Sequence, residues 1–277
     1  MPKPTICFAC LLVAAALLVP VASAQAATAV SSNWAGYVAT PKTSGTKFKT
    51  VSGTWVVPQG DCSSLTPAYS ATWVGIGGYR SSSKALEQTG TELDCSLGTA
   101  KYSAWYELVP DVGHDINMTV NPGDTIDAAV SVKGNRVTLY LRNRTRGAVF
   151  RKAFTMSAPD RTSAEWIIEA PSSCDSAVQC SQLPLSNFGT QSFTRASVTS
   201  ARGTRGSVSY PGWSNTKVTL SQGGEHGGFA QFASERGAEP SALSADGASF
   251  SVSYTEQAPP TQAPPPMFAP GAGGLPQ

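Results

Sequence analysis

The stretch Ser163-Ala164-Glu165-Trp166-Ile167-Ile168-Glu169 decides how the rest of the chain is read. Its Ile and Trp content marks a buried strand. Side chains on a strand alternate between faces, which puts Glu165, Ile167 and Glu169 on one side and Trp166 and Ile168 on the other. A carboxylate on an apolar strand is costly to bury unless it is paired or used, and its surroundings then tune its pKa. Glu169 is therefore a candidate general base, and the remaining chain is expected to build the sheets that hold it.

Outward from this stretch, strand signals recur. They fall at Lys47 to Pro58, Tyr69 to Gly77, Ala85 to Glu92, Tyr102 to Val109, Ile116 to Val120, Thr125 to Lys133, Arg136 to Asn143 and Ala148 to Met156. Further on they recur at Phe188 to Thr194, Ser207 to Tyr210, Lys217 to Ser221 and Ser249 to Tyr254. Gly134-Asn135 between two of these runs is a hairpin signal. No stretch after the leader keeps a helical period, so an all-β sandwich or barrel is expected. One domain covers residues 28–256, and the Pro-, Ala- and Gly-rich residues 257–277 read as a disordered tail.

The chain opens with a short basic start, an apolar run from Ile6 to Val21 and small residues at Ala22-Ser23-Ala24-Gln25-Ala26. This is the pattern of a secretory signal over residues 1–26, cleaved after Ala24 or Ala26, and it predicts an extracellular protein. Its removal takes Lys3 and no acid. The remaining 19 basic and 18 acidic residues leave a charge of +1, which gives no electrostatic case for nucleic acid. No other apolar run is long enough to span a bilayer, so no membrane contact is expected after cleavage.

Four cysteines remain beyond the leader: Cys62, Cys95, Cys174 and Cys180. Export favours disulfides. Cys174 and Cys180 are close enough to clip one loop, which leaves Cys62 for Cys95. Their spacings do not suit zinc, and no metal or cofactor is expected.

His114 and His226 read as loop histidines without a nucleophile-elbow motif nearby, so a serine triad has no support. Arg142, Arg144 and Arg146 read as one solvated strand face. What remains is a set of acids and amides within aromatic strands: Gln88, Glu107, Glu165 and Glu169. Trp105 shares a strand face with Glu107. Spacing alone leaves these as either core polar groups or a site.

The segments Asn33-Trp34-Ala35-Gly36, Thr72-Trp73-Val74-Gly75-Ile76, Leu86-Glu87-Gln88-Thr89-Gly90, Ala104-Trp105-Tyr106-Glu107 and Ala164-Glu165-Trp166-Ile167-Ile168-Glu169, in that order, resemble the eqolisins, the glutamic peptidases. The resemblance covers roughly Asn33 to Phe193. It implies an antiparallel β-sandwich of two curved, packed sheets, concanavalin-like. It also implies a Gln/Glu catalytic dyad at Gln88 and Glu169, with Trp73 and Glu107 lining the cleft beside Trp105 and Glu165. Protein or peptide substrates and a monomeric enzyme follow from the same likeness. Gly77 stands where some relatives carry an acid, and Glu92 where others carry Asp. An unperturbed Glu titrates near about 4.3, so an acid optimum is expected. Two rival readings use the same residues. One is a glycoside hydrolase with Glu107 and Glu169 as its carboxyl pair. The other is a non-catalytic carbohydrate-binding module with Trp73 and Trp105 as sugar platforms.

Overall fold

The computed structural model describes residues 26–176, 179–222 and 235–257. The leader up to residue 25, His226 and the tail from residue 258 lie outside these. Among the described residues there is no helix. The strands are β1 Ala27–Ser31, β2 Trp34–Pro41, β3 Phe48–Val56, β4 Ala68–Gly77, β5 Leu86–Ser96 and β6 Thr99–Val109. Next come β7 His114–Ile116, β8 Thr125–Lys133, β9 Arg136–Asn143, β10 Ala148–Thr155, β11 Ala164–Glu169 and β12 Ser172–Ser176. The last are β13 Gln179–Gln182, β14 Thr190–Ser200, β15 Arg205–Ser207, β16 Trp213–Ser221, β17 Glu235–Pro240 and β18 Phe250–Gln257.

Hydrogen bonding runs unbroken along β10-β9-β8-β3-β14-β18-β17-β16-β2-β11-β4-β5-β6-β7. The ladders of this path are antiparallel, and β1 lies parallel beside β16 at its margin. The path curls back on itself so that β3 and β8 face β4, and β8 and β9 face β5, across a common core. The fold is thus the expected all-β sandwich. Its two layers are joined at one side through β18, β17 and β16 rather than standing as separate sheets.

The alternation read from the central strand holds. Ala164, Trp166 and Ile168 enter the main core with Trp55, Phe48, Phe193, Leu139 and Leu141. Ile167 points the other way, into a smaller cluster with Val38, Ala71, Trp73, Leu86 and Trp105. Two core tryptophans also tie the layers by polar contacts. Trp166 Nε1 donates to the Ser52 carbonyl at 2.8 Å and Trp55 Nε1 to Thr91 Oγ1 at 3.0 Å. A buried indole is tolerated because its N–H finds a partner. β11 and β2 approach closely at Gly36. Its φ is +147°, and a Cβ there would lie 2.0 Å from the Trp166 carbonyl oxygen, so only glycine fits.

Several sequence expectations change at the edges. The short Ala85 to Glu92 run begins at Leu86 and extends to Ser96, with Thr89-Gly90 mid-strand. His114 belongs to β7 and stacks on Tyr106 at 5.1 Å instead of sitting in a loop. The arginine face dissolves. β9 ends at Asn143, and the following turn sends Arg144 to Asp127 at 2.5 Å and Arg146 to Asp124 at 2.6 Å. Cys62 and Cys95 are bonded as expected. Cys174 and Cys180 are opposite each other in the β12–β13 register, and Cys180 is disulfide-bonded.

Alternation also buries an acid that the sequence pattern does not flag. Glu87 precedes Gln88 and so faces the opposite side, directly opposite Ile76 of the main core by register with β4. It is fully buried, and neither carboxyl oxygen has a hydrogen-bond partner. Burial, reinforced by the Asp160 charge, pushes its pKa up to about 8. Glu165 is in the same condition: fully buried, unpartnered at both oxygens, and raised well above the ordinary carboxyl range by burial. Asp160 and Glu87 oppose its ionisation further.

Both folded-state values exceed those of the unfolded chain, so the native state binds more protons between them. Stability is therefore full below about pH 4.5 and is lost as pH rises towards 8, by a few kcal/mol for Glu87 at order of magnitude. Urea midpoints measured from pH 4 to pH 8 are expected to fall steadily in the wild type. In Glu87→Gln, which cannot ionise, the slope is expected to be shallower.

Candidate active site

The smaller cluster is the floor of the candidate site. In register, Glu169 stands opposite Ala71 and Ile167 opposite Trp73 across the β11–β4 ladder. Across β4–β5, Trp73 is opposite Gly90 and Gly75 opposite Gln88. Across β5–β6, Gly90 is opposite Trp105 and Gln88 opposite Glu107. By strand alternation Glu169, Trp73, Gln88, Glu107 and Trp105 all project from one face. Trp73 sits between the two ends of this array.

The glycines of the quoted motifs are explained by Trp73 and its strand. A Cβ on Gly75 would come within 2.8 Å of the Trp73 ring, and one on Gly90 within 2.8 Å of Trp73 Cβ and 2.0 Å of the Thr72 carbonyl. Gly75 must stay bare to leave room for the Trp73 ring, and Gly90 to let β5 approach the β4 backbone at Thr72 and Trp73. Trp34 packs edge-on against it, with centroids 5.1 Å apart.

Glu169 ends β11 and is partly exposed. Its two oxygens are held separately. Trp73 Nε1 donates to Oε2 at 2.8 Å, and Asn33 Nδ2 donates to Oε1 at 3.1 Å. Asn33 is itself fixed by the preceding turn, where the Ser31 hydroxyl donates to Asn33 Oδ1 and accepts from the Trp34 backbone N–H. Burial pushes the Glu169 pKa up to about 7. The N–H groups of Trp34, Trp73 and Asn33 hold it down, and the Glu107 charge raises it. Trp34 Nε1 is buried and makes no hydrogen bond of its own, so it acts on the carboxylate as a nearby dipole.

At the other end, Gln88 is 3 % exposed and its Nε2 donates to Glu107 Oε2 at 2.6 Å. Gln88 Oε1 is buried and has no partner in the protein. Glu107 is raised by burial and lowered by the Gln88 hydrogen bond and by His114. Because Glu107 acts on the Glu169 titration, the Gln88–Glu107 pair and Glu169 are within electrostatic reach of one another.

The structure thus gathers Gln88, Glu107, Glu169, Trp73 and Trp105. Glu165, also expected to line the cleft, lies in one row of that face with Gln88 and Glu107, opposite Gly75, which is itself opposite Gln88. Glu165 shares a face with Glu169 but is sealed under the surface, with Glu87 and Asp160 as its electrostatic neighbours. Asn33 was missed as a site residue, although its motif was among those quoted. Glu92, opposite Ala71 from Glu169, was also not singled out as a site residue; burial and the Asp94 charge push it up to about 7.

The peptidase A4 family model matches residues 32–226. The chain belongs to the peptidase A4 family. Solved structures agree with this. Scytalido-glutamic peptidase bound to a transition state analog inhibitor is 28% identical, with a TM-score of 0.61 and coverage of 81% of this chain and 98% of that one. SCP-B, an eqolisin in complex with the tripeptide Ala-Ile-His, is 27% identical at a TM-score of 0.58, covering 81% and 98%. Aspergilloglutamic peptidase from Aspergillus niger is 27% identical at 0.51, covering 68% and 99%. No curated protein gives a match in sequence. As an A4 member the chain is a glutamic endopeptidase, a hydrolase, and the two sugar readings are set aside.

Loss of a hydrogen bond to an ionised carboxylate costs about 1.5–3 kcal/mol. Trp73→Phe keeps the ring and removes the N–H. It is expected to raise the Glu169 pKa, since the donor favours the charged form. In the pH dependence of kcat/KM on a peptide substrate, the acid limb should move to higher pH. An unmoved limb would mean that the indole N–H does not act on the group whose titration controls the rate.

Proposed function

We propose that the enzyme hydrolyses peptide bonds by a Gln88/Glu169 dyad, in acid to weakly acid conditions, after export. The observation that carries this reading is the pairing of two preset groups on one sheet face. Glu169 is a carboxylate gripped at both oxygens, and Gln88 is an amide whose donor end is engaged while its acceptor end is free.

In this mechanism ionised Glu169 removes a proton from a water as the water attacks the scissile carbonyl. Gln88 Oε1 accepts a hydrogen bond from that water. The second N–H of Gln88 Nε2 donates to the oxyanion as it forms, an interaction of a few kcal/mol in comparable sites. Glu169, now protonated, hands the proton to the leaving amine, and the carboxylate is restored. The peptide ligand and transition state analogs of the structural relatives support a peptide substrate here.

Burial changes the pH expectation. With Glu169 raised from the ordinary range to about 7, its basic form grows through weak acid rather than strong acid. The upward limit is set by the fold, which loses stability as pH rises above about 4.5 because it keeps Glu87 and Glu165 protonated while the unfolded chain does not. These two trends favour a working range in weak acid. The signal over residues 1–26 is part of the same proposal: an extracellular enzyme, acting as a monomer.

Casein digestion across pH 3–8 tests the dyad. Glu169→Gln is expected to lose about 10²–10⁴-fold in kcat, the usual contribution of a positioned base. Gln88→Ala is expected to lose about 10²–10³-fold. Activity in both variants equal to wild type would overturn the assignment. Pepstatin is expected not to inhibit, because no aspartate pair takes part.

A further inference from the structure

We propose, on the dyad reading above, that Glu107 is a positioning residue that fixes which end of the Gln88 carboxamide faces the substrate. An amide side chain has two ends of nearly equal shape. Turning it through half a revolution exchanges a donor for an acceptor with little steric consequence, and only its hydrogen-bond partners decide between the two states. In a site that needs Oε1 towards a water and an N–H towards an oxyanion, the wrong orientation presents neither in its place.

Glu107 is built to make that choice. It stands directly opposite Gln88 across the β5–β6 ladder, and Nε2 reaches its Oε2 at 2.6 Å, in the range of charge-assisted bonds. An ionised carboxylate only accepts. The inverted amide would set Gln88 Oε1 against it, acceptor to acceptor. The strand pairing around this contact is stiffened next door, where the Thr89 hydroxyl donates to the Trp105 carbonyl at 2.7 Å. Gln88 Oε1 is left buried and without a protein partner, which is the state expected of an acceptor reserved for a bound water or substrate.

The selection depends on charge. Protonated Glu107 gains an O–H, a stronger donor than an amide N–H, that donates to Gln88 Oε1, and the inverted amide then becomes the favoured one. The charged or titratable groups acting on Glu107 are His114, which favours its ionised form, and Glu169, whose ionisation it opposes in return. Two carboxylates must then be ionised for turnover: Glu169 to take the proton and Glu107 to hold Gln88. Glu107 itself touches neither water nor scissile bond in this scheme.

The test compares wild type with Glu107→Gln and Glu107→Leu. It uses steady-state kinetics on one peptide substrate from pH 3 to pH 8, with thermal unfolding as a control on folding. In wild type, log kcat on the acid limb is expected to approach a slope of two. In Glu107→Gln, which keeps an acceptor oxygen and cannot titrate, the slope should fall to one, with KM within about twofold. Glu107→Leu should lose at least tenfold in kcat, and Glu107→Gln should recover part of that loss. An activity-independent readout accompanies these. The side-chain NH₂ resonances of Gln88 should shift with a carboxyl titration in wild type and not in Glu107→Gln.

An unchanged acid-limb slope in Glu107→Gln, or a rise in KM at constant kcat in Glu107→Leu, would overturn the positioning role. So would a Gln88 NH₂ signal that titrates equally in wild type and Glu107→Gln. Glu169→Gln and Gln88→Ala run alongside. If they abolish turnover while Glu107→Leu does not, only the positioning role fails. If they leave turnover intact, the dyad itself fails.

Discussion

The hydrogen bond from Trp73 Nε1 to Glu169 Oε2 is the contact on which the rest of the site depends. It joins a carboxylate at the end of one strand to the middle of its neighbour. The ring has room there because Gly75 carries no side chain, and β5 can approach β4 because Gly90 carries none. A carboxylate in this position is otherwise a liability, because burial alone would keep it protonated. The N–H groups around it offset part of that penalty. The result is a group that ionises near neutrality instead of one permanently neutral, which is what a general base must be. The contrast with Glu165, four residues earlier on the same strand face, makes the point. With no N–H aimed at either oxygen, it is driven far above the carboxyl range.

The same sandwich therefore holds two kinds of buried acid. One kind is supported by N–H donors at the cleft; the other is sealed from solvent without such support. Glu87 and Gln88 are consecutive, yet alternation sends one into the main core and the other to the cleft. A core carboxyl with no partner is tolerable while it is protonated, since a neutral acid costs far less to bury than a charged one. The fold is consequently better suited to acid than to neutral conditions. This holds independently of the catalytic chemistry, although both favour the same pH range.

Much of this was legible in the sequence, and the limits are physical. Alternation within Ala164–Glu169 correctly separated Trp166 and Ile168 from Ile167 and Glu169. The turn residues and apolar runs located most of the longer strands, but Ile116 to Val120 is strand only at Ile116 and Ser207 to Tyr210 only at Ser207. Alternation reports which face a side chain takes, however, and not how deep it lies or what stands beside it. Glu165 and Glu169 are equivalent by period, and only the long-range register of β11 against β2 and β4 separates a sealed level from an open one. Arg144 and Arg146 looked like part of one strand face with Arg142 because they continue its alternation, although the strand itself ends at Asn143. Asn33 lies 136 residues from the carboxylate it holds, a pairing that no local pattern encodes. Its motif was visible only through likeness to a family.

The orientation of Gln88 shows why the second layer of a site matters as much as the reacting groups. A dyad of a carboxylate and an amide differs from a pair of carboxylates in one respect: its neutral partner has distinct ends. The protein gains a donor and an acceptor in one residue, but it must then prevent that residue from turning over. Packing cannot do this, because the two ends have almost the same volume. Only an asymmetric electrostatic neighbour can, and β6 supplies one directly across the ladder in Glu107. The requirement also explains why the Glu107 charge can raise the Glu169 pKa without defeating the chemistry. One takes the proton and the other holds the amide, so their mutual repulsion is the cost of keeping an orienting charge within reach of the base.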